Sequence, residues 1–434
     1  MNKKKILSIH KPLQSSLNKS ASSFIPALSP IQVNGLTNTY LLAFRTWKRA
    51  KQPNSYVTKP GQEGHPWYNL WGFSKYDGTG FAIVQITNSN VKIVKVKQYP
   101  SHGSNKIDMR LLSVPGMKNT YFCTYNTFGK KNPVKSPNNF KTIQKSLIST
   151  CFYYFDKKKV YHNPSKKLLM TKKVDPNNIQ KYTSWESYCT FQNISVLRIG
   201  PNLQIEISKP LLVCPQVHQK VEKNISMMVH KNSLFFQYTV NPWVFLNESC
   251  AKVYPKNSDL FKHIVDYYDA SNTGYFKRFL QFSCSTPLVP FNDKEYIAAG
   301  HFKIVYKDIE QKSKGKLLQF IQKAKQLMRI KTFDSNTYPN KVHYELIYGM
   351  FIYTVKKSDL QLSRTSGGFI LFDDPNLLTF PTSVVYNESL QKYMIAYHEN
   401  DIAMKLWMLS VSDMEKLLVF NSRTKPADFT FTFR

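Results

Sequence analysis

TYLLAFRT, at residues 39–46, is the stretch that decides the fold, because four further segments repeat its plan. They are TYFCTYNT at 120–127, SLFFQYTV at 233–240, EYIAAGHF at 295–302 and KYMIAYHE at 392–399. The second place holds Tyr40, Tyr121, Leu234, Tyr296 or Tyr393, and the seventh holds Arg45, Asn126, Thr239, His301 or His398. Short apolar runs of this kind, bounded by Asn, Ser, Lys and Pro clusters, read as strands. Five such units predict an all-β protein, a five-bladed β-propeller. Corresponding strand ends then converge near the axis, and the seventh places supply five hydrogen-bonding groups to one central site.

Working outward, residues 1–20 read as a basic, Ser-rich flexible arm, and residues 21–434 as a single propeller domain. Asn34-Gly35 and Pro115-Gly116 mark turns before the first two repeat strands. FAIVQI at 81–86 and VKIVKV at 91–96 form a hairpin, as do the runs at 196–199 and 203–207. Two insertions interrupt the pattern, at about 130–181 and 305–330. The first is rich in lysine and aromatics. The second carries Leu317, Phe320, Ile321, Ala324, Leu327 and Met328 at helical spacing, which predicts a helix inserted in blade four and packed on it. Late runs at 406–411 and 429–433 offer a strand to close the ring against the N-terminal blade.

The 60 Lys and Arg residues outnumber 27 Asp and Glu, for a net charge of +33. Such a charge attracts phosphate groups or other polyanions, so non-specific polyanion contact through the basic surface is one expectation. The competing one is a Lys- and Asn-biased composition, since these residues fill loops with no motif. Six scattered cysteines show no CxxC pair, so neither a zinc site nor a disulfide framework is predicted, and a reduced, cytoplasmic setting is expected. No apolar run is long enough for a transmembrane segment, and the start does not read as a signal peptide.

Beside the repeat strands stands a mixed set of charged and polar groups: Asp108 and Arg110, Lys223 and Asn224, His301, then Glu399, Asn400 and Asp401. Carboxylates mixed with Arg, Lys and His suit sugar chemistry. Hydroxyls need donors and acceptors, a glycosidic oxygen needs a proton, and a phosphate needs cations. Asp108 and Arg110, two apart on one strand, are expected on one face, where a plain ion pair is the alternative.

The order of these motifs resembles the five-bladed propeller superfamily of inverting β-mannoside phosphorylases and hydrolases and related mannosyltransferases, similar in fold to arabinanases and levansucrases. Ile107-Asp108-Met109-Arg110 stands where that family carries Glu-Asp-Pro-Arg. Lys223-Asn224-Ile225-Ser226 with Tyr238 to Pro242 is similar to a Lys-Asn-Trp-Ser motif followed by Tyr-x-x-x-Pro. Residues 282–287 and His301 occupy the place of Arg-Gly-Gly-Ser/Thr-Pro and a later His, and residues 397–401 that of Tyr-Gly-x-x-Asp. The resemblance spans about residues 21–420.

It implies an inverting glycosyl, specifically mannosyl, transferase or phosphorylase working by single displacement without metal or other cofactor on an oligosaccharide or sugar phosphate. Asp108 would be the general acid. Arg110, Lys223 and His301 would bind phosphate or the anionic part of a donor, while Asn224 and Asp401 would hold hydroxyls. Arg45, Asn126, Tyr397 and Glu399 complete the expected substrate-binding set. Three departures bear on activity: Ile107 replaces Glu, Phe282-Ser283-Cys284 replaces Arg-Gly-Gly, and His398 replaces Gly. The lost arginine removes a bidentate anion contact that lysine does not reproduce, which weighs against phosphorolysis. The other class that fits is a non-catalytic propeller serving as a glycan- or polyanion-binding scaffold.

Overall fold

The computed structural model describes residues 5–17, 21–48, 78–100, 107–130, 188–200, 202–207, 211–212, 224–247, 251–256, 258–268, 280–305, 315–331, 346–371, 379–399 and 403–434. Residues 49–77, which read as a polar loop to Pro66 and a resumed strand from Trp67, and nearly all of the 130–181 insertion lie outside them.

Strand β1 (Lys5–Ser8) and helix α1 (His10–Ser16) open the chain. The first sheet is an antiparallel meander of β2 (Ala21–Pro30), β3 (Thr39–Lys48), β4 (Gly78–Ile86) and β5 (Val91–Pro100). The second follows the path β6 (Ile107–Ser113), β7 (Thr120–Lys130), β8 (Tyr188–Ile199), with β9 (Ile205–Ile207) and β10 (Leu211–Leu212) both paired to β8. The third is β11 (Ser226–His230), β12 (Ser233–Val240), β13 (Trp243–Leu246) and β14 (Lys252–Val253). Helix α2 (Leu260–Tyr268) follows. The fourth sheet has eight strands, beginning with β15 (Leu280–Cys284), β16 (Val289–Pro290) and β17 (Glu295–Val305). After helix α3 (Gly315–Lys331) it continues with β18 (Leu346–Lys356), β19 (Leu362–Thr365) and β20 (Gly368–Ile370). The last sheet contains β21 (Thr379–Asn387), β22 (Lys392–Glu399) and β23 (Ala403–Ser410), with β1 paired to β23. Helix α4 (Val411–Leu417) then leads to β24 (Phe420–Asn421) and β25 (Phe431–Phe433), which return to the fourth sheet.

The chain is mostly β, in a propeller arrangement. The expectation of a five-bladed propeller is corrected to four blades: four sheets have the four-strand path of a blade, and the remaining one is a larger, eight-stranded sheet. It grows because β18 pairs with both β19 and β20, and the C-terminal strands extend it further. Each repeat strand, β3, β7, β12, β17 and β22, falls in a different sheet.

These strands read as continuous apolar runs because both of their faces are buried. In β7, Tyr121, Cys123 and Tyr125 pack with Ala27, Leu41 and Phe81 of the first sheet, while Phe122 packs with Met227 and Phe236 of the third. Further apolar clusters join the third sheet to the fourth, the fourth to the last, and the last to the first. The second place of the repeat is a tie to the preceding sheet. Tyr121 Oη donates to the Pro30 carbonyl at 2.7 Å, Tyr296 to Val229 at 3.2 Å and Tyr393 to Phe291 at 3.0 Å. Tyr40 in the first sheet has its pKa raised by burial and then by the charge of Glu388 in the β21–β22 turn.

Where β17 and β18 run side by side, glycine makes room for aromatic rings. The Phe351 ring lies over its cross-strand partner Gly300, so a Cβ on that glycine would meet the ring at 2.3 Å and the Ser283 carbonyl oxygen at 2.7 Å.

At the ends, one expectation is corrected and one is decided between its two candidates. Residues 5–17 are not a free arm: β1 is the outer strand of the last sheet, and Ile9, Leu13 and Leu17 are buried with Met404 and Leu406. That pairing satisfies the exposed edge of β23. Of the two late runs, 406–411 lies largely in β23 and pairs with the N-terminal strand β1, while the Phe-rich strand β25 pairs in parallel with β20. Helix α3 is placed as expected between β17 and β18, with Leu317, Phe320, Ile321 and Ala324 buried and Phe320 stacked on Phe433 at 4.7 Å. Among the described residues, no helix is long and apolar enough to cross a membrane.

Candidate functional site

The opening strands β2, β6 and β21 of three sheets touch one another. Leu28 N–H donates to Ser383 Oγ at 3.0 Å, and the Ser29 and Ser113 hydroxyls are 3.0 Å apart. All three strands are bulged, between Phe24 and Ala27, Ile107 and Arg110, and Pro381 and Ser383. A bulge turns the side chains that follow it, and bulges recur where a strand must aim residues at a site. In β6 the bulge falls between Ile107 and Arg110, just ahead of the described Arg110 side chain.

Arg110 is 3 % exposed and sits at the junction of three sheets. Its Nε donates to the Ser285 carbonyl, just after β15, and one terminal nitrogen donates to the Met109 carbonyl at 2.9 Å. The guanidinium carbon lies 5.7 Å from the centre of the Phe380 ring in β21, within reach of a cation–π attraction. The Ser285 hydroxyl is in turn 2.7 Å from His301 Nδ1. The His301 ring is 4.4 Å from Phe380, and Phe380 stacks on its cross-strand partner His398 at 5.2 Å. The second, fourth and last sheets thus place a buried cation, two imidazoles, a hydroxyl and an aromatic ring together. Such a group can orient an anion or a hydroxylated ring and can carry a proton at imidazole.

The other expected residues divide clearly. Asn126 is fully buried, directly across from Gln192 of β8. Arg45 is buried in the first sheet, opposite Thr79. Glu399, 2 % exposed, makes an ion pair with Lys405 at 2.8 Å, across from Thr379. Asn224, at the start of the third sheet, has a left-handed backbone with φ 63° and a buried Oδ1 without a hydrogen-bond partner. Tyr397 is fully buried among Met350, Ile352 and Trp407, in the core between the fourth and last sheets. The Asp108 side chain, Lys223 and Asp401 lie outside the described residues and side chains. Of the seventh-place residues, His301 and His398 meet through Phe380. Thr239 instead uses its hydroxyl in the following turn, accepting from Asn241 N–H at 3.1 Å.

Ser285 and Phe380 are the members that sequence reasoning missed. A signal existed for Phe380, since it lies one hairpin upstream of His398, but its register depends on the bulge at Pro381. The arginine expected in the fourth sheet is replaced by Phe282, which points into an aromatic cluster with Phe261 at 4.9 Å and Phe351 at 5.3 Å. That strand position faces the core here.

The fold and site together define an all-β, propeller-like protein with a polar cluster where its sheets meet. The sequence matches no protein-family model and no curated protein. Among solved structures, the chain is similar to a GDP-Man-dependent mannosyltransferase from Leishmania mexicana, at 8 % identity over 93 % of this chain and 88 % of that one, with TM-score 0.43. It is also similar to a β-1,2-mannobiose phosphorylase from Listeria innocua, at 8 % identity over 96 % and 99 % of the two chains, with TM-score 0.44. A third similarity is to a mannose phosphorylase from Leishmania mexicana, at 5 % identity over 90 % and 84 %, with TM-score 0.40.

Proposed function

We propose that this protein is a carbohydrate-active enzyme, a glycosyl and specifically mannosyl transferase, acting by inverting single displacement at the Arg110 cluster. The observation that carries the reading is the convergence of Arg110, Ser285, His301, Phe380 and His398 from three sheets. A sugar ring needs an apolar surface for its C–H face and donors and acceptors around its rim, and this cluster offers both.

In the reaction, Asp108 is the general acid that protonates the departing oxygen, directly or through a sugar hydroxyl, as the acceptor hydroxyl attacks the anomeric carbon from the opposite face and gives its proton to solvent, from which the Asp108 carboxylate is reprotonated. Arg110, with His301 and Lys223, steadies the negative charge that builds on the leaving group. Asn126, Asn224 and Asp401 hold hydroxyls. The replacement of the family's fourth-sheet arginine by Phe282, a core residue here, supports transfer over phosphorolysis.

Turnover assays with mannose 1-phosphate and with nucleotide-linked mannose test the proposal, alongside thermal shifts with each donor. Release of the donor's leaving group with transfer to an acceptor sugar is expected. Absence of both turnover and stabilisation by every sugar donor and acceptor rejects it.

A further inference from the structure

One face of the second sheet changes character along its length. Leu112, Phe122 and Val196 lie side by side in the register and pack against Ile225, Met227 and Phe236 of the third sheet. One step along the same face, Arg110 stands opposite Thr124, and one further step brings Asn126 opposite Gln192. Directly paired residues, and residues two apart on one strand, share a face of the sheet. The apolar stripe therefore becomes a polar one at the Arg110 end.

Thr124 is fully buried and Gln192 is 2 % exposed. The Thr124 hydroxyl and Gln192 Oε1 are both buried without a hydrogen-bond partner. Buried polar atoms are nearly always satisfied, and those that are not mark a place where a ligand or water completes them. Packing alone favours valine and leucine at such positions, as the rest of the face shows. The unpartnered Gln192 Oε1 is an acceptor, which a ring hydroxyl satisfies and an unprotonated phosphate oxygen does not.

We propose that Thr124 and Gln192 form a specificity wall of the sugar site, with Gln192 Oε1 accepting a hydrogen bond from a ring hydroxyl of a neutral pyranose and Thr124 contacting the same rim. The inference rests on the carbohydrate reading above and adds to it two residues that no motif marks. A site built to hydrogen-bond a hydroxyl rejects the analogue that lacks it, because the protein group is then left unpaired.

The test is titration calorimetry on the full chain with D-mannose, β-1,2-mannobiose and the series of monodeoxy-mannoses. Thr124→Val and Gln192→Leu, each nearly isosteric, should weaken binding by about tenfold or more. One deoxy sugar should lose the same factor against the unaltered protein and nothing against Gln192→Leu. If the unaltered protein binds mannose and both variants bind within about twofold of it, the wall is wrong while the carbohydrate reading stands. If no sugar binds the unaltered protein, both fall. Should a variant fail to fold by circular dichroism, the deoxy series and a crystal structure with mannose decide: Gln192 Oε1 beyond 3.5 Å from every hydroxyl, or occupied by a buried water only, overturns the proposal.

Discussion

The Arg110 guanidinium donates to the carbonyl oxygen of Ser285, so a side chain from the first strand of the second sheet is anchored on the turn that follows the first strand of the fourth. Because Ser285 also holds His301 through its hydroxyl, the position of the imidazole depends on the arginine two sheets away. A buried guanidinium keeps its charge, and its planar fork reaches two carbonyls at once.

Replacing Arg110 with Lys keeps the charge and loses the fork. We expect Arg110→Lys to fold but to lose sugar binding by more than tenfold, and Arg110→Ala to lose about 1.5–3 kcal/mol of stability as well. Urea denaturation and calorimetry read both; a lysine variant with unaltered binding removes the cluster from the site.

Asp108→Asn keeps the size of the side chain and removes its titrating proton. Mannosyl transfer should fall by at least a hundredfold while the melting temperature and sugar affinity stay near those of the unaltered protein. Full activity in this variant eliminates Asp108 as the acid.

Arg364 of β19 forms ion pairs with Glu295 at the start of β17 and with Glu415 of α4, tying the fourth sheet to the helix that follows the last. Burial pushes the Glu295 carboxyl up, but hydrogen bonds from Arg364, Ser363, Asn292 and Thr354 outweigh it and bring the pKa from 4.5 down to about 2. A depressed carboxylate stabilises the fold fully above its unfolded pKa, and the contribution is lost as pH falls from about 4.5 through about 2. In Arg364→Met the carboxyl stays buried without its main donor, so this acid loss should flatten. Urea midpoints at pH 6, 4.5 and 3 in both proteins check it; parallel slopes would sink the assignment.

Leu13 of α1 is fully buried against residues of the last and first sheets. Leu13→Ala should cost about 2–5 kcal/mol, a core-sized loss, measured as a drop in the denaturation midpoint. A loss below about 0.5 kcal/mol would return the N-terminal segment to the status of an exposed arm.

Gly300 has no room for a Cβ beneath the Phe351 ring. Gly300→Ala should destabilise by about 1–3 kcal/mol and, since His301 is the next residue, should also weaken sugar binding. Stability unchanged to within 0.5 kcal/mol would show that the ring moves aside freely.

Much of the β architecture was legible in local pattern. The five repeat strands are each found as strands, because burial on both faces imposes a continuous apolar run that no surface segment shows. The turn at Pro115-Gly116 and the α3 stripe were legible for the same local reason: Gly116 needs its positive φ of 73°, and a helix buried on one side needs 3.6-residue spacing. Helix α2 was not foreseen. Its nine residues do carry the signal, since Leu260, Phe261, Ile264, Val265 and Tyr268 fall at helical spacing on one buried face, but so short a run is easily read as part of the loop around it.

The amino-acid order by itself determined the strands, the spacing of the repeats and the presence of Arg110, His301 and His398, because hydrophobic period and residue chemistry are local properties. Tertiary structure alone decided that Arg110 reaches Ser285 while Tyr397 faces the core, that β1 rather than β25 joins the first and last elements, and that one sheet grew to eight strands. Those outcomes depend on register, bulges and which sheet edge is free. They are set by pairing between segments up to hundreds of residues apart, which no local window contains.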